Sequence, residues 1–509
     1  MMAQGVLPFK YENDKQGAGL TAFSGIGAYL DLASRSGFIR SVDRHVGLRS
    51  GGQGWTDAEM VLTVVLLNLV GGDCVGDVER LECDEGLGRL FGKALKHSLS
   101  PGKRRQMKKR WRREKLRSVP SASALFRYLA GFHDGDQESL REPGKAFIPK
   151  GNEALKGLEK VNRDFVAFVQ RNRCEEIATL DMDATLVETE KSDALWSYKG
   201  FRAYQPLNTW WSEQGLLLHT EFRDGNVPAG YEQKRVLQEA LRCLPETVSN
   251  VRLRSDTAGY QHDLLKYCDG QENKRVGRIE FTVSCDVSPE FKKAVAEVSE
   301  DDWRVLKKRG RDGEFRETRR QWAEVCFVPD AIGHSKKGPE YRYIAIREPM
   351  QEQLMLPAMH CEEKALPFQT LSMAAVKYKV FGIVTNMHWD GQELIQWHYK
   401  RCGKSEEAHS VMKQDFAGGK FPSGDFGENA AWWWMMVLAF NLNAAMKSLI
   451  LGGQWVSKRL KAIRFHLICI AGRVMQRSRQ LSVRLRENYL DWLLQIRARI
   501  GALAPGPSG

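Results

Sequence analysis

The run Ile177 to Val187, IATLDMDATLV, constrains the fold more than any other stretch of the chain. It is rich in strand-forming residues and carries two aspartates two positions apart. On a strand, Asp181 and Asp183 would project to one face. Burying paired carboxylates is costly unless a cation neutralises them, so metal ligation is one reading. The bland one is a strand end with Asp183 turning into solvent. A second acid stands in a similar place. Val251 to Ser255 is predicted as a short strand, with Asp256 at its C-terminal end before Thr257–Gly259. Such edges are where α/β sheets gather ligands, although aspartate is also an ordinary turn residue.

A third acid lies in Trp397 to Phe416, WHYKRCGKSEEAHSVMKQDF, predicted as part of one helix. Asp390, with Glu393 three positions on, gives it a capping-box-like start. At 100° per residue, Tyr399, Glu406 and Lys413 fall within roughly 40° of one another. A hydrogen-bonding ring, a carboxylate and an amine on one stripe suit a site that handles phosphate and metal. Spacing alone describes a solvated surface face equally well.

These residues resemble insertion-sequence transposases of the DDE class, in the insertion-sequence-four-like superfamily and its thirteen-eighty group. That superfamily carries Tyr-x-x-Arg-x-x-x-Glu-x-x-x-x-x-x-Lys around its last catalytic acid, and Tyr399, Glu406 and Lys413 match the spacing. The arginine position holds Cys402, with Arg401 one residue early. On a regular helix Arg401 would point about 200° away from Tyr399. Either the helix is distorted near Gly403, or the arginine's role is lost or filled by another cation. The family's first acid is followed by x-Thr, as in Asp183-Ala184-Thr185, which favours Asp183 and leaves Asp181 in reserve. Asp256 resembles the second acid.

The resemblance implies an α/β chain with a ribonuclease-H-like catalytic core in which Asp183, Asp256 and Glu406 meet. Three crowded carboxylates imply two Mg²⁺ ions, with Mn²⁺ able to substitute. Tyr399, Lys413 and Arg401 would hold DNA phosphates. The implied activity is cleavage at terminal inverted repeats and strand transfer into target DNA, by a homodimer that pairs two ends. The alternatives are a nuclease that cuts without joining and an inactive DNA-binding descendant. Nothing in these residues specifies a hairpin intermediate.

Charge fits a polyanionic partner. The chain of 509 residues carries a net charge of +13. Ten Lys or Arg against the single Glu114 lie within 103–117: Lys103, Arg104, Arg105, Lys108, Lys109, Arg110, Arg112, Arg113, Lys115 and Arg117. With Trp111 interleaved, this arm is a candidate double-stranded DNA contact. A solvated basic helix is the plainer alternative. Ten cysteines without CxxC pairs argue against a zinc finger or a disulfide framework and favour a reducing cytoplasm. No signal-peptide pattern opens the chain. The most apolar run, Ala430 to Phe440, is too short for a membrane span.

The pattern divides the chain into a helical DNA-binding region at 1–150, and a first part of the catalytic domain at 151–270. A β-rich insertion follows at 271–375, then the second catalytic part at 376–450 and a basic, mostly helical C-terminal region at 451–509. Within the first region, Thr56 is predicted to cap a helix that Gly71 and Gly72 end. Strands are expected at Ala203–Trp210, Leu216–Arg223, Ile279–Val287, Gln321–Val328, Tyr341–Arg347 and Tyr378–Thr385. Tyr231 to Leu244 reads as an amphipathic helix. Trp432 to Trp434 are assigned to core. Trp303 or Trp322 could stack on an extruded base, though core is the plainer role. The closing APGPSG is expected to fray.

Overall fold

The computed structural model describes residues 18–49, 54–98, 102, 105, 117–142, 144–310, 312–329, 341–350, 368–373, 376–401, 404–477 and 480–506. Of the basic arm, only Arg105 and Arg117 fall within these ranges. The other arm residues, Cys402 and Gly403 lie outside them, as does the expected lead-in up to residue 17.

The N-terminal region is helical: α1 (Ile26–Arg35), α2 (Phe38–His45) and α3 (Asp57–Val70). The predicted capping box on α3 is present. Thr56 Oγ1 accepts from the Glu59 amide at 3.2 Å, and Glu59 Oε2 accepts from the Thr56 amide at 2.6 Å. Gly71, at φ 100°, ends the helix in a left-handed conformation that a side chain resists. Helix α3 is apolar nearly all round and therefore buried. It packs against a later helix that is also apolar all round, Phe426–Ala445. Between them in sequence comes α4 (Glu153–Asn172), capped by Asn152. One continuous apolar cluster runs from Phe23 to Ile500 through all these elements.

Ten strands form the main sheet: β1 (Ile177–Ala184), β2 (Leu207–Trp211), β3 (Leu216–Glu221), β4 (Asn250–Ser255), β5 (Glu280–Cys285), β6 (Arg304–Arg309), β7 (Phe315–Val325), β8 (Arg342–Pro349), β9 (Thr370–Met373) and β10 (Val376–Thr385). Their order is β3-β2-β1-β4-β5-β10-β8-β7-β6, with β9 beside β10. β1, β4 and β5 run parallel, and every other pairing is antiparallel. The parallel centre is largely buried, but β4 and β5 alternate apolar with polar residues: Val251, Leu253, Phe281 and Val283 are apolar core, and Arg254 is buried beside them. The amphipathic helix predicted over Tyr231–Leu244 is α5 (Gln233–Cys243), which packs with α4 on the edge strand β3.

Within the stretch expected as an insertion, β5 is a central strand bonded to β4, the remaining strands extend the same sheet, and the charged segment between the predicted strands forms the β6–β7 hairpin. Trp303 and Trp322 are only 7% and 4% exposed. Trp303 lies 4.1 Å beneath the Arg347 guanidinium and Trp322 lies 5.2 Å from that of Arg304, so both are packing residues with no face for a base.

The predicted single helix over Trp397–Phe416 is two: α6 (Gly391–Tyr399) and α7 (Lys404–Asp415). Asp390 caps α6, accepting from the Gln392 and Glu393 amides at 2.9 and 3.3 Å. The stripe joining Tyr399 to Glu406 does not form, because the backbone leaves the helix after Lys400. Helix α8 (Phe426–Ala445), continued by a wide turn to Leu451, is long and apolar enough to cross a membrane. That window is 78% buried inside the protein, as in a core helix. Trp432, Trp433 and Trp434 are all buried in it.

The basic C-terminal region pairs Gly472–Arg477 with Gln480–Arg484 and with Leu20–Thr21, and ends in α9 (Glu487–Ala502) against α1. Residues 504–506 of the closing APGPSG are tied down rather than frayed, and 507–509 lie outside the described residues. Ala504 N donates to Asn172 Oδ1 at 2.7 Å and Gly506 N to the Arg35 carbonyl at 2.9 Å.

Candidate active site

The site begins where β1 and β4 end side by side. Their parallel register pairs Asp181 with Arg254 and Met182 with Ser255, and Asp183 and Asp256 are the next residues of each strand. Asp256 leaves its strand as the cap of a short turn, its Oδ1 accepting from the Ala258 amide at 3.0 Å.

The two aspartates of β1 have different surroundings. Arg254 grips Asp181 with two bonds, Nε to Oδ1 at 2.6 Å and Nη2 to Oδ2 at 2.8 Å. The same guanidinium donates to the Trp397 carbonyl at 2.8 Å and to Ser212 Oγ at 3.1 Å, and lies 4.9 Å from the Trp397 ring centre. Asp181 is therefore held in a buried bidentate pair that pins α6 to the sheet. Asp183 has no such clamp. Among the described residues it pairs loosely with Arg401, whose Nη1 is 3.6 Å from Oδ2. Burial pushes the Asp183 carboxyl up to about 7; the Asp256 charge adds to that, Arg401 opposes it, and Glu406 raises it further. Two acids distant in sequence, Asp256 and Glu406, thus act electrostatically on Asp183.

Arg401 reaches the acids because α6 has ended: its amide bonds the His398 carbonyl at 3.2 Å in the closing turn, and its side chain is buried. A regular helix would have turned it away. Glu406 stands in the first turn of α7, where the side chain is exposed. Two turns on, Lys413 Nζ donates to Thr185 Oγ1 at 3.1 Å and to the Leu186 carbonyl at 3.2 Å. That ammonium therefore sits just past Asp183, and burial, with Lys199 nearby, lowers its pKa. Tyr399 is on the other side of the break. It packs against the small apolar cluster that includes Trp322, Ile346 and Leu394, with the Arg320 guanidinium 5.9 Å from its ring centre.

Other residues of the site were not singled out from sequence. His409, one turn beyond Glu406, is buried, and Nε2 lies 3.2 Å from Asn208 Nδ2. Burial, then Lys413 and Arg401, push its pKa to about 3, so it is a neutral ring that accepts from Asn208. Asn208 is paired across from Asp183 in the sheet, and Thr220 Oγ1 donates to its Oδ1 at 2.6 Å. Near the site, Trp196 and Tyr198 are 61% and 76% exposed, with Arg202 and Lys199 each 5.8 Å from the respective ring centre. Interleaved aromatic and basic residues in WSYKGFR were the available signal.

The donor set fits a hard divalent cation. The three acids offer only oxygen, and Asp183 is charged at neutral pH only if something offsets burial and two like charges. Of the arm, Arg105 is exposed and Arg117 pairs with Glu82 at 3.0 Å.

A family profile described as "Transposase DDE domain group 1" matches residues 10–503. No curated protein matches the chain. Among solved structures, a piggyBac transposase synaptic complex with hairpin DNA aligns over 96% of this chain and 88% of that one, at 9% identity and a TM-score of 0.38. A likeness of that size bears on neither the details of the fold nor the chemistry.

Proposed function

The chain belongs to the transposase DDE domain group 1 family, and we propose that it is a cut-and-paste DNA transposase whose catalytic acids are Asp183, Asp256 and Glu406. One observation carries the assignment. Asp183, the last residue but one of β1, lies beside the point where Asp256 leaves β4, and burial, Asp256 and Glu406 push its carboxyl up to about 7. A strand acid, a strand-end acid and a helix acid in that order support a ribonuclease-H-like core. Asp181, committed to Arg254, is the poorer candidate for the first acid.

The three carboxylates would hold two Mg²⁺, or Mn²⁺ in their place. When bound, such ions supply activation of the attacking oxygen and stabilisation of the leaving one. The remaining work falls to the chain itself. Thr185 and the Leu186 carbonyl fix Lys413 so that its ammonium can meet a DNA phosphate without wandering. Arg401 takes the place of the arginine missing at position 402, since the break after α6 turns it toward Asp183. Neutral His409 orders the first turns of α7 without adding charge. Trp196, Tyr198, Lys199 and Arg202 form an exposed face for DNA stacking and phosphate contact, and residues 103–117 give a further basic contact. Tyr399 reaches DNA only if its packing beside Arg320 opens. Two copies would pair two terminal inverted repeats before transfer into target DNA.

The test is Mg²⁺-dependent transfer of a pre-cleaved terminal end into plasmid by the purified chain. Joined product supports the transposase reading, and cleavage without joining makes it a nuclease. Binding alone makes it a DNA-binding descendant. Neutralising residues 103–117 should weaken DNA binding and flatten its salt dependence; an unchanged slope removes the arm from the interface.

A further inference from the structure

Beyond the acids, a second cluster of ligating side chains joins the edge strand β3 to α4 and α5. Glu159 comes from α4, His219 from β3, and Cys243 from the last turn of α5. One ligand atom from each lies within 4.8 Å of the others. His219 Nδ1 is 3.4 Å from Glu159 Oε1, and Cys243 Sγ is 3.6 Å from that same oxygen. Bonds of about 2.0–2.3 Å to tetrahedral zinc place its ligands roughly 3.4–3.7 Å apart, so both separations match the edges of such a site.

The surroundings are arranged as those of a metal-bound histidine. Glu239 Oε2 lies 3.3 Å from Nε2, the ring nitrogen facing away from Glu159. Arg235 Nη1 donates to the other Glu239 oxygen at 2.9 Å, and Arg235 also pairs with Glu221 and Glu232. A carboxylate behind the ring, itself anchored, is the usual device that fixes tautomer and orientation for ligation through Nδ1. His219 is only 4% exposed, and neither ring nitrogen completes a well-aligned hydrogen bond despite these neighbours. Set between Glu159 and Glu239 without an aligned hydrogen bond to either, the buried ring turns Nδ1 toward the centre of the cluster.

The geometry points to a zinc site formed by Glu159 Oε1, His219 Nδ1 and Cys243 Sγ, with Glu239 as the partner of Nε2. Thiolate, imidazole and carboxylate together select zinc over magnesium, the reverse of the all-oxygen set at Asp183. Two anionic ligands balance the +2 charge. On binding, the Cys243 thiol and His219 Nδ1 each release any proton they carry to solvent, and no electron moves. Glu159 is partly exposed, which leaves a fourth position for water. The site would staple α4 and α5 to β3, behind the strands that carry Asn208 and Asp183.

The full chain, produced in zinc-supplemented medium and dialysed against metal-free buffer, should retain about one zinc per chain by elemental analysis. Cobalt substitution should give thiolate-to-cobalt charge transfer in the near ultraviolet and visible bands of tetrahedral intensity. Cys243→Ser should abolish the charge-transfer band and lower zinc content at least fivefold, and Glu159→Gln should weaken retention while keeping that band. The Asp183→Asn/Asp256→Asn double variant should keep both signals, which separates this site from the acids and from the outcome of the strand-transfer assay. Should Cys243→Ser fail to fold by circular dichroism, the cobalt spectrum of the unaltered chain still reads thiolate ligation. Wild-type protein with neither stoichiometric zinc nor the cobalt band would make the cluster a buried ion network and overturn the proposal. Equal zinc in folded Cys243→Ser would do the same.

Discussion

Asp181 and Asp183 stand two residues apart on β1, and the two regions they occupy treat a carboxylate in opposite ways. Where α6 covers the strand, Asp181 meets a guanidinium with both oxygens and the pair is sealed by Trp397. At the strand tip α6 has ended, and Asp183 faces Asp256 and Glu406 with Arg401 in opposition. The first region uses charge to hold a helix on a sheet. The second leaves charge unbalanced, and an imbalance of that kind is a place for a cation. A buried pair and a buried surplus therefore differ in what they are for, though the residue type is the same.

The contrast can be broken most forcefully through activity. Asp183→Asn, Asp256→Asn and Glu406→Gln should each lower strand cleavage by about 10³-fold or more while end binding persists, because each removes a proposed metal ligand. A cleavage assay in which Asp183→Asn stays active and Asp181→Asn does not would reverse the two regions.

Next in size is stability. Arg254→Ala should destabilise the fold by about 3–5 kcal/mol in denaturant unfolding, since it strands Asp181 without its partner. Asp181→Leu combined with Arg254→Met should recover much of that loss. A small effect of Arg254→Ala would mean that water reaches Asp181 and that the pair is not sealed.

The pH dependence sharpens the comparison. Asp183 titrates near 7 in the folded chain against an ordinary 3.8. Between these values the folded state holds the proton more tightly than the unfolded state, so stability falls as pH rises through this window. Without divalent metal, Asp183→Asn should therefore raise Tm at pH 8 by about 2–4 °C and have little effect near pH 4. Cleavage at fixed Mg²⁺ should show an acid limb near pH 7, which added metal moves down. A variant equally stabilised at both pH values would remove the surplus charge as the cause. The smallest effect belongs to Lys413→Met, expected to weaken cleavage about tenfold through substrate affinity, seen as a raised KM.

What could be read in the chain before its structure followed local rules. The Thr56–Glu59 box, the Gly71 stop and the strand ending at Ser255 depend on neighbours a few residues away, and they stand where expected. The misplaced arginine raised a distortion near Gly403 as one alternative but could not select it, because the 3.6-residue spacing runs on from Tyr399 to Glu406 without a proline. Arg401 then turns toward Asp183, while Tyr399 stays with the small apolar cluster around Trp322 and with Arg320. Trp303 and Trp322 looked available for stacking because their covering arginines come from other strands.

The sequence by itself determined which segments could be helix or strand and which acids stood at strand ends, because those properties arise from short-range periodicity and turn chemistry. Only the tertiary structure decided that Asp181 is spent on Arg254 while Asp183 is left among like charges. It also decided that Glu159, His219 and Cys243 converge. Coulombic and ligand geometry act over a few ångströms in space, and the residues that supply them lie tens to hundreds of positions apart along the chain.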